Sequence, residues 1–205
     1  MQYNTLMPAP TPEKIQSLKK DIVFPAELRG RALTFHATWG LFSPTAVDDG
    51  SRLLIEEMEI RPTDAVLDVG CGYGALGLAA AALAPQGTVH LVDKDFVAVE
   101  FAAKNAALNN LSNAEAYLSN LLSHVSERQK FDVILSNPPA QGGRELLSIL
   151  LHDAKAHLNP GGRIYLVTVS GLKEFIKRNF QEVFGNYEKV RQGKTYTVAQ
   201  AVLQK

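Results

Sequence analysis

A glycine-rich segment is the first place in this sequence where residue types and spacing could do chemistry. It runs from Asp68 to Gly77, reads DVGCGYGALG, and lies between a predicted strand and a predicted helix. Glycines lack Cβ atoms, so backbone N–H groups in such a turn can approach a ligand closely. We expect that ligand at the carboxyl ends of the strands, where open α/β sheets bind small molecules.

Two carboxylates near this segment bear on the class of ligand. The spacing from Gly72 to Gly77 matches G-x-G-x-x-G, which by itself suggests a nicotinamide or flavin dinucleotide. Asp68 lies two residues before the first glycine and favours a cationic ligand, because a carboxylate repels a pyrophosphate. Asp93 ends the next predicted strand, where a carboxylate can accept hydrogen bonds from ribose hydroxyls. Asp93 therefore fits an adenosyl ligand and a dinucleotide alike.

A Ser-Asn-Pro-Pro sequence, Ser136–Pro139, follows a further predicted strand. Its two prolines stiffen the backbone and remove two N–H donors, which leaves the Pro138 carbonyl free to face a cleft. Asn137 adds a side-chain carbonyl, and the two oxygens can accept both hydrogens of an NH2 group and aim its lone pair at an incoming methyl group. The motif predicts methylation of an amino nitrogen. We also expect Asn137→Asp, which keeps an acceptor, to be milder than Asn137→Ala.

The alternation of short apolar runs with helical patterns predicts the elements that position these residues. It indicates an α/β fold with a Rossmann-like, doubly wound, mainly parallel seven-stranded sheet and an antiparallel C-terminal hairpin. Strands are predicted at residues 65–69, 88–92, 114–118, 131–136, 163–169, 188–191 and 195–203. Helices are predicted at residues 45–59, 75–83, 96–108, 144–158 and 172–184.

The first part of the chain has a different pattern. Residues 1–44 are predicted to be an N-terminal arm and lead-in, and residues 45–205 a catalytic domain. Within the lead-in we expect a short helix and a turn in residues 13–30 and a strand at residues 31–36. In the helix at residues 45–59, the predicted buried stripe is formed by Val47, Leu53, Leu54 and Met58.

Composition excludes several classes of protein. The 205 residues are 46% apolar and 20% charged with zero net charge, so nothing global indicates nucleic-acid or membrane binding. A local excess of Lys and Arg after Gly171 is attributed to solvated helix and turn faces. The five histidines lack the spacing of metal ligands, and the single cysteine, Cys71, is typical of a reducing compartment. We expect a cytoplasmic protein without a metal site.

The motifs resemble a known family of enzymes. The segment Asp68–Gly74 resembles the first motif of class I S-adenosylmethionine methyltransferases, and Asn137–Pro139 resembles their amino-methylating signature. The segment from Gly40 to Gly50, with Asp48, looks like the lead-in of the "methyltransferase small" family. That family includes the bacterial ribosomal RNA guanine-N2 methyltransferases of both subunits and compact archaeal relatives. The resemblance covers about residues 30–205.

This resemblance implies S-adenosyl-L-methionine as cofactor, guanine N2 as target, and ribosomal RNA or a ribosomal subunit as partner. Carried over by position, the cofactor contacts would be Asp68, Gly70, Cys71, Gly72, Gly74, Asp93, Lys94 and Asn120, with Asn120 near the adenine amino group. Asn137 and Pro138 would be the catalytic residues that hold the target amine, with Asn137 also beside the cofactor. Phe42 and Pro139 would contact the substrate.

The sequence departs from the family pattern at Ala140, where many members have an aromatic residue after the two prolines. Stacking on a base contributes ~1–3 kcal/mol, so either another aromatic residue such as Phe42 replaces it or the substrate differs. Alternative functions are a protein glutamine N5-methyltransferase, a nucleotide-binding dehydrogenase, and a domain that binds cofactor without catalysis. The nucleotide that co-purifies would separate the dehydrogenase from the others.

Overall fold

The computed structural model describes residues 10–139 and 143–204. The helices are α1 (Pro12–Leu18), α2 (Asp49–Glu57), α3 (Ala75–Leu83), α4 (Phe96–Leu108), α5 (Gly143–His157) and α6 (Lys173–Phe184). The strands are β1 (Ile22–Leu28), β2 (Arg31–Ala37), β3 (Ala65–Val69), β4 (Thr88–Asp93), β5 (Ala114–Leu118), β6 (Phe131–Ser136), β7 (Leu158–Val169), β8 (Glu188–Gln192) and β9 (Tyr196–Val202). None of the described helices is both long and apolar enough to cross a membrane.

The predicted sheet is confirmed. Seven strands lie in the order β5-β4-β3-β6-β7-β9-β8, parallel from β5 to β7, with β9 antiparallel to β7 and β8 antiparallel to β9. On β3, Val66 packs with the helices of one face and its neighbour Leu67 with those of the other, and neither is exposed. Continuous burial is expected where helices cover both faces of a parallel sheet. Because β3 to β7 are parallel to one another, their carboxyl ends all lie at the same end of the sheet.

The prediction for residues 13–30 is wrong beyond its first helix. Helix α1 ends at Leu18, and Ile22–Leu28 forms β1, which pairs with β2 in an antiparallel hairpin. Alternate residues of β1 are buried, beginning at Phe24, which packs against Phe35 at a centroid distance of 5.7 Å. Tertiary pairing thus overrides a weak local signal. The domain boundary between residues 44 and 45 remains a prediction.

Two element boundaries also differ from the sequence prediction. Helix α2 begins at Asp49, four residues later than predicted, because Asp48 is its N-cap and accepts a hydrogen bond from the Ser51 amide. Its buried residues include Leu54 and Ile55, whereas Leu53 of the predicted stripe is only half-buried. At the other end of the chain, β7 includes the predicted turn at 159–162, with a register shift against β6.

The β1–β2 hairpin is held against the seven-stranded sheet domain by two asparagines on one face of α4. Asn105 accepts a hydrogen bond from the His36 amide at 2.7 Å and donates to the His36 carbonyl at 2.9 Å. Asn109, one turn later, makes the same pair of bonds to Thr34. Asn105 also donates to the Tyr73 carbonyl in the glycine-rich segment at 2.9 Å. The hairpin is therefore connected to that segment through one buried side chain.

We predict that Asn105→Ala lowers the free energy of unfolding more than Asn109→Ala. The first change leaves polar groups of His36 and Tyr73 unpaired around a fully buried site, at about 1–3 kcal/mol for each group. Water can reach the half-buried Asn109 and replace its bonds. Urea denaturation of the two variants measures the difference, and an equal or smaller loss for Asn105→Ala would contradict this account.

Candidate active site

Loops at the carboxyl ends of the central strands enclose a cleft of about 570 Å³. Its volume is within the usual range for small-molecule sites. Ten of the predicted site residues line it: Phe42, Gly70, Cys71, Gly72, Asp93, Lys94, Asn120, Asn137, Pro138 and Pro139. Two others, Asp68 and Gly74, are buried behind the lining. Ala140 lies outside the described residues.

The glycine-rich segment turns sharply between β3 and α3. Gly70, Gly72 and Gly74 have φ values of +74°, +55° and +98°, in the left-handed region that side chains other than glycine disfavour. The amides of Gly70 and Cys71 donate to the Val92 carbonyl at 2.8 and 3.0 Å, which ties the turn to β4. The cleft-side backbone is therefore fixed in place and free of Cβ atoms at these positions.

Asp68 supports this turn from below and is fully buried. Its Oδ2 accepts a hydrogen bond from the Gly77 amide at 2.8 Å, while Oδ1 has no partner within the described residues. Burial raises the pKa of Asp68 to about 7; the bond from Gly77 opposes this shift and the charge of Asp93 adds to it. A Cβ on Gly77 would lie 2.6 Å from Leu91, so α3 can pack this closely only with glycine there.

Asp93 supports the same turn from the end of β4. Its Oδ2 accepts a hydrogen bond from the Gly72 amide at 2.9 Å, and its Oδ1 accepts one from the Asp95 amide at 3.0 Å. A carboxylate has about four lone-pair positions, so acceptor capacity remains on the cleft side. Lys94 and Asn120 are exposed on the neighbouring loops. Asp93 can therefore hold the loop and still bind a ligand hydroxyl.

Asn137 is anchored by residues that the sequence analysis did not connect with it. Its Nδ2 donates to Asp48 Oδ1 at 3.1 Å and to Ser51 Oγ at 3.0 Å, at the N-terminus of α2. A carboxylate cannot donate, so the contact with Asp48 fixes which end of the amide is the nitrogen. The Asn137 carbonyl oxygen is left for the cleft. Ser136 holds the same loop by donating to the Val69 carbonyl at 2.7 Å.

The structure adds Ser51, Thr168 and Tyr196 to the cleft lining. Thr168 and Tyr196 come from the antiparallel part of the sheet, and no local sequence signal marks them as site residues. Ser51 could have been found from the helix-capping spacing of Asp48, three residues before it. Phe42 also lines the cleft and is 66% exposed, and its contact with a substrate remains a prediction.

A doubly wound sheet with this glycine turn, carboxylate and Asn-Pro-Pro loop around one cleft defines the class of S-adenosylmethionine-dependent methyltransferases. The model of the methyltransferase small domain family matches residues 32–200 of the chain. The chain therefore belongs to this family, and its domain is a methyltransferase that uses S-adenosylmethionine.

Individual proteins are similar to the chain over most of its length. The chain is 35% identical to the YbxB protein of Bacillus subtilis, over 85% of this chain and 88% of that protein. It is 31% identical to the ribosomal RNA large subunit methyltransferase G of Shewanella denitrificans, over 85% of this chain and 50% of that one. The T. thermophilus 16S rRNA N2 G1207 methyltransferase (RsmC), solved with AdoMet and guanosine, superimposes with a TM-score of 0.81 and 32% identity, over 90% and 51% of the two chains. The chain thus spans about half of the two ribosomal RNA enzymes.

We predict that the stability difference between the wild type and Asp68→Asn depends on pH. Asparagine can still accept the Gly77 hydrogen bond, but it does not titrate. In the wild type, the Asp68 carboxyl loses its proton near pH 3.8 when the protein is unfolded and near pH 7 when it is folded. The contribution of Asp68 to the free energy of unfolding therefore falls as the pH rises from about 4 to about 7. The variant should gain on the wild type by up to roughly 1.4 kcal/mol per pH unit, then level off above about pH 7. Urea denaturation at several pH values measures this, and a constant difference would refute it.

Proposed function

We propose that this protein methylates the N2 amino group of a guanine in ribosomal RNA. The observation that carries the proposal is the anchored side chain of Asn137, whose amide nitrogen is bound by Asp48 and Ser51 and whose oxygen is left for the cleft. An acceptor in that position suits a substrate that presents an NH2 group. The neighbouring Pro138 also lines the cleft, and its backbone carbonyl oxygen would be the second acceptor.

The chain's own residues fit S-adenosylmethionine in this cleft. Asp93 would accept hydrogen bonds from the ribose hydroxyls, and Asn120 would lie near the adenine amino group. Asp68, buried behind the cleft lining, would act through the glycine turn that it supports by accepting the Gly77 amide hydrogen bond. When bound, the cofactor supplies a methyl group on a sulfonium, which is an electrophile. Gly70 and Gly72 leave room for its close approach, since neither position has a Cβ atom.

The protein's contribution to the reaction is to position the target nitrogen. Asn137 Oδ1 and the Pro138 carbonyl would each accept one hydrogen of the amine, so that its lone pair points toward the methyl group. As the N–C bond forms and the S–C bond breaks, the nitrogen becomes cationic and both hydrogen bonds strengthen. Such bonds act mainly in the transition state and therefore increase the rate. The product loses its extra proton to water, and no side-chain base is needed.

The choice of guanine in ribosomal RNA rests on the relatives. The large subunit methyltransferase G and the guanosine-bound RsmC are similar to this chain over 85% and 90% of its length. Phe42 lines the cleft, and its exposed ring could stack on a base in place of the aromatic residue that many family members have at position 140. A glutamine side chain is the competing substrate, because its amide also presents an NH2 group.

The proposal is tested by mapping modified nucleotides. Ribosomal RNA from a deletion strain and from its parent would be digested and compared by mass spectrometry. We expect one N2-methylguanosine to be absent from the deletion strain and restored by the wild-type gene but not by a gene carrying Asn137→Ala. An unchanged ribosomal RNA, with a missing methyl group on a glutamine of a ribosomal protein or release factor, would replace this proposal with the alternative.

We predict that Asp93→Ala weakens binding of S-adenosylmethionine roughly tenfold to more than a hundredfold. The change removes charged hydrogen bonds to the ribose, worth about 1.5–3 kcal/mol, and releases the Gly72 amide. Calorimetry measures the dissociation constant. The matched control is Asp132→Ala, which removes a carboxylate that accepts a hydrogen bond from the Ala65 amide at 2.9 Å, at the amino ends of the central strands. Equal affinities of the two variants would show that Asp93 acts only as a structural cap.

We predict that Asn137→Ala leaves cofactor affinity nearly unchanged and slows methyl transfer by about 3–4 kcal/mol in activation free energy. Asn137→Asp should be no milder, contrary to the expectation from sequence, because its carboxylate would lie beside Asp48 and could not donate to it. Single-turnover methylation of ribosomal RNA measures both variants. Wild-type turnover in Asn137→Ala would remove this residue from the mechanism.

A further inference from the structure

We propose that Asp48 determines substrate specificity by accepting a hydrogen bond from the ring N–H next to the target amine. One carboxylate oxygen, Oδ1, fixes Asn137, and the other, Oδ2, would accept the N1–H of a guanine whose N2 is bound by Asn137. The inference deepens the proposed function and rests on it. It assigns Asp48 a role toward the substrate in addition to its role as the N-cap of α2.

Asp48 is oriented by two hydrogen-bond donors at the start of α2. Its Oδ1 accepts hydrogen bonds from the Ser51 amide at 3.0 Å and from Asn137 Nδ2 at 3.1 Å. The Ser51 hydroxyl lies 3.0 Å from the same Asn137 nitrogen. All three side chains line the cleft. The carboxylate and the amide therefore form one rigid unit at the substrate end of the site.

The start of α2 is closely packed beside Asp48, and the second carboxylate oxygen has no partner there among the described residues. A Cβ on Gly50 would lie 3.1 Å from Asp48 Oδ1 and 3.1 Å from the Tyr196 ring, so a glycine at this position leaves the space that both groups occupy. Within residues 10–139 and 143–204, no hydrogen bond or ion pair involves Asp48 Oδ2. This oxygen is thus an acceptor in a half-buried position beside the Asn137 amide.

The atom next to the target amino group decides which substrate fits beside Asp48. In guanine the N1–H lies next to the N2 amino group, and the two N–H bonds point in nearly the same direction, so adjacent acceptors can bind both. Adenine has a bare ring nitrogen next to its N6 amino group, and a glutamine side chain has a carbonyl oxygen next to its NH2. Either would turn a lone pair toward the Asp48 carboxylate, which is repulsive and leaves Oδ2 unpaired. Asp48 therefore favours guanine over both.

The test compares two nucleosides that differ at this position. Guanosine has the N1–H, whereas 2-aminopurine riboside keeps the amine at C2 but has a bare N1 and no 6-oxo group. The part of the preference that is due to the N1–H is the part that depends on Asp48. Dissociation constants would be measured by NMR titration of the protein saturated with S-adenosylhomocysteine. We expect wild-type protein to prefer guanosine by tenfold to a hundredfold, as for one charged hydrogen bond.

The variant Asp48→Asn separates recognition of the N1–H from positioning of the Asn137 side chain. Its amide oxygen would occupy the Oδ1 position, facing the donors of Ser51 and Asn137, and would place an NH2 group where Oδ2 was. We expect the guanosine preference to disappear or reverse. The matched control is Ser51→Ala, which removes one hydrogen bond to Asn137 but keeps Asp48 Oδ2. It should weaken the binding of both nucleosides and leave the ratio of their dissociation constants unchanged.

Two results would overturn the inference. The first is equal or undetectable affinity of the wild-type protein for the two nucleosides, which needs no variant to fold. The second is a folded Asp48→Asn variant with the wild-type ratio. The proposed function fails by a different result, the absence of any change in ribosomal RNA methylation in the deletion strain, so the two failures are distinguishable.

Discussion

The pair of carboxylates that holds the glycine turn is the constraint on which the site depends. Asp68 binds the amide of Gly77 and Asp93 binds the amide of Gly72, so the turn is clamped at its helical end and at its cleft side. Without side chains of their own, the glycines cannot fix this backbone, and their conformational freedom must be removed by neighbours. The two aspartates come from adjacent parallel strands, and the sheet itself therefore sets the shape of the cofactor side of the cleft.

Two segments outside the strand–helix alternation complete this arrangement. The β1–β2 hairpin reaches the glycine turn through Asn105, which binds both His36 and the Tyr73 carbonyl. The N-terminus of α2 reaches the Asn-Pro-Pro loop through Asp48, which binds Asn137. The hairpin and the start of α2 therefore support the active site, and both halves of the cleft are fixed by polar side chains that bond to backbone or amide groups. Such bonds define direction as well as distance, which apolar packing does not.

A glycine pattern that suits dinucleotides is used here for a different ligand. Close packing of Gly77 against Leu91 is the helix–strand contact that the pattern usually provides. The difference lies in Asp68, which is buried under the turn with one oxygen unpartnered among the described residues. Burial raises the pKa of this carboxyl to about 7, and its observed contact is the hydrogen bond that it accepts from the Gly77 amide. The glycine pattern therefore describes the backbone of the turn and does not by itself identify the ligand.

The sequence by itself determined the sheet, the glycine turn and the Asn-Pro-Pro loop, because these depend on local periodicity and on residues adjacent in the chain. It failed at β1, whose strand conformation depends on pairing with β2, and at the role of Asp48, which bonds to Asn137 across 89 positions. Thr168 entered the cleft in the same way, from a strand with no local signal of function. Only the tertiary structure decided these features, because hydrogen bonds between distant segments leave no spacing in the sequence.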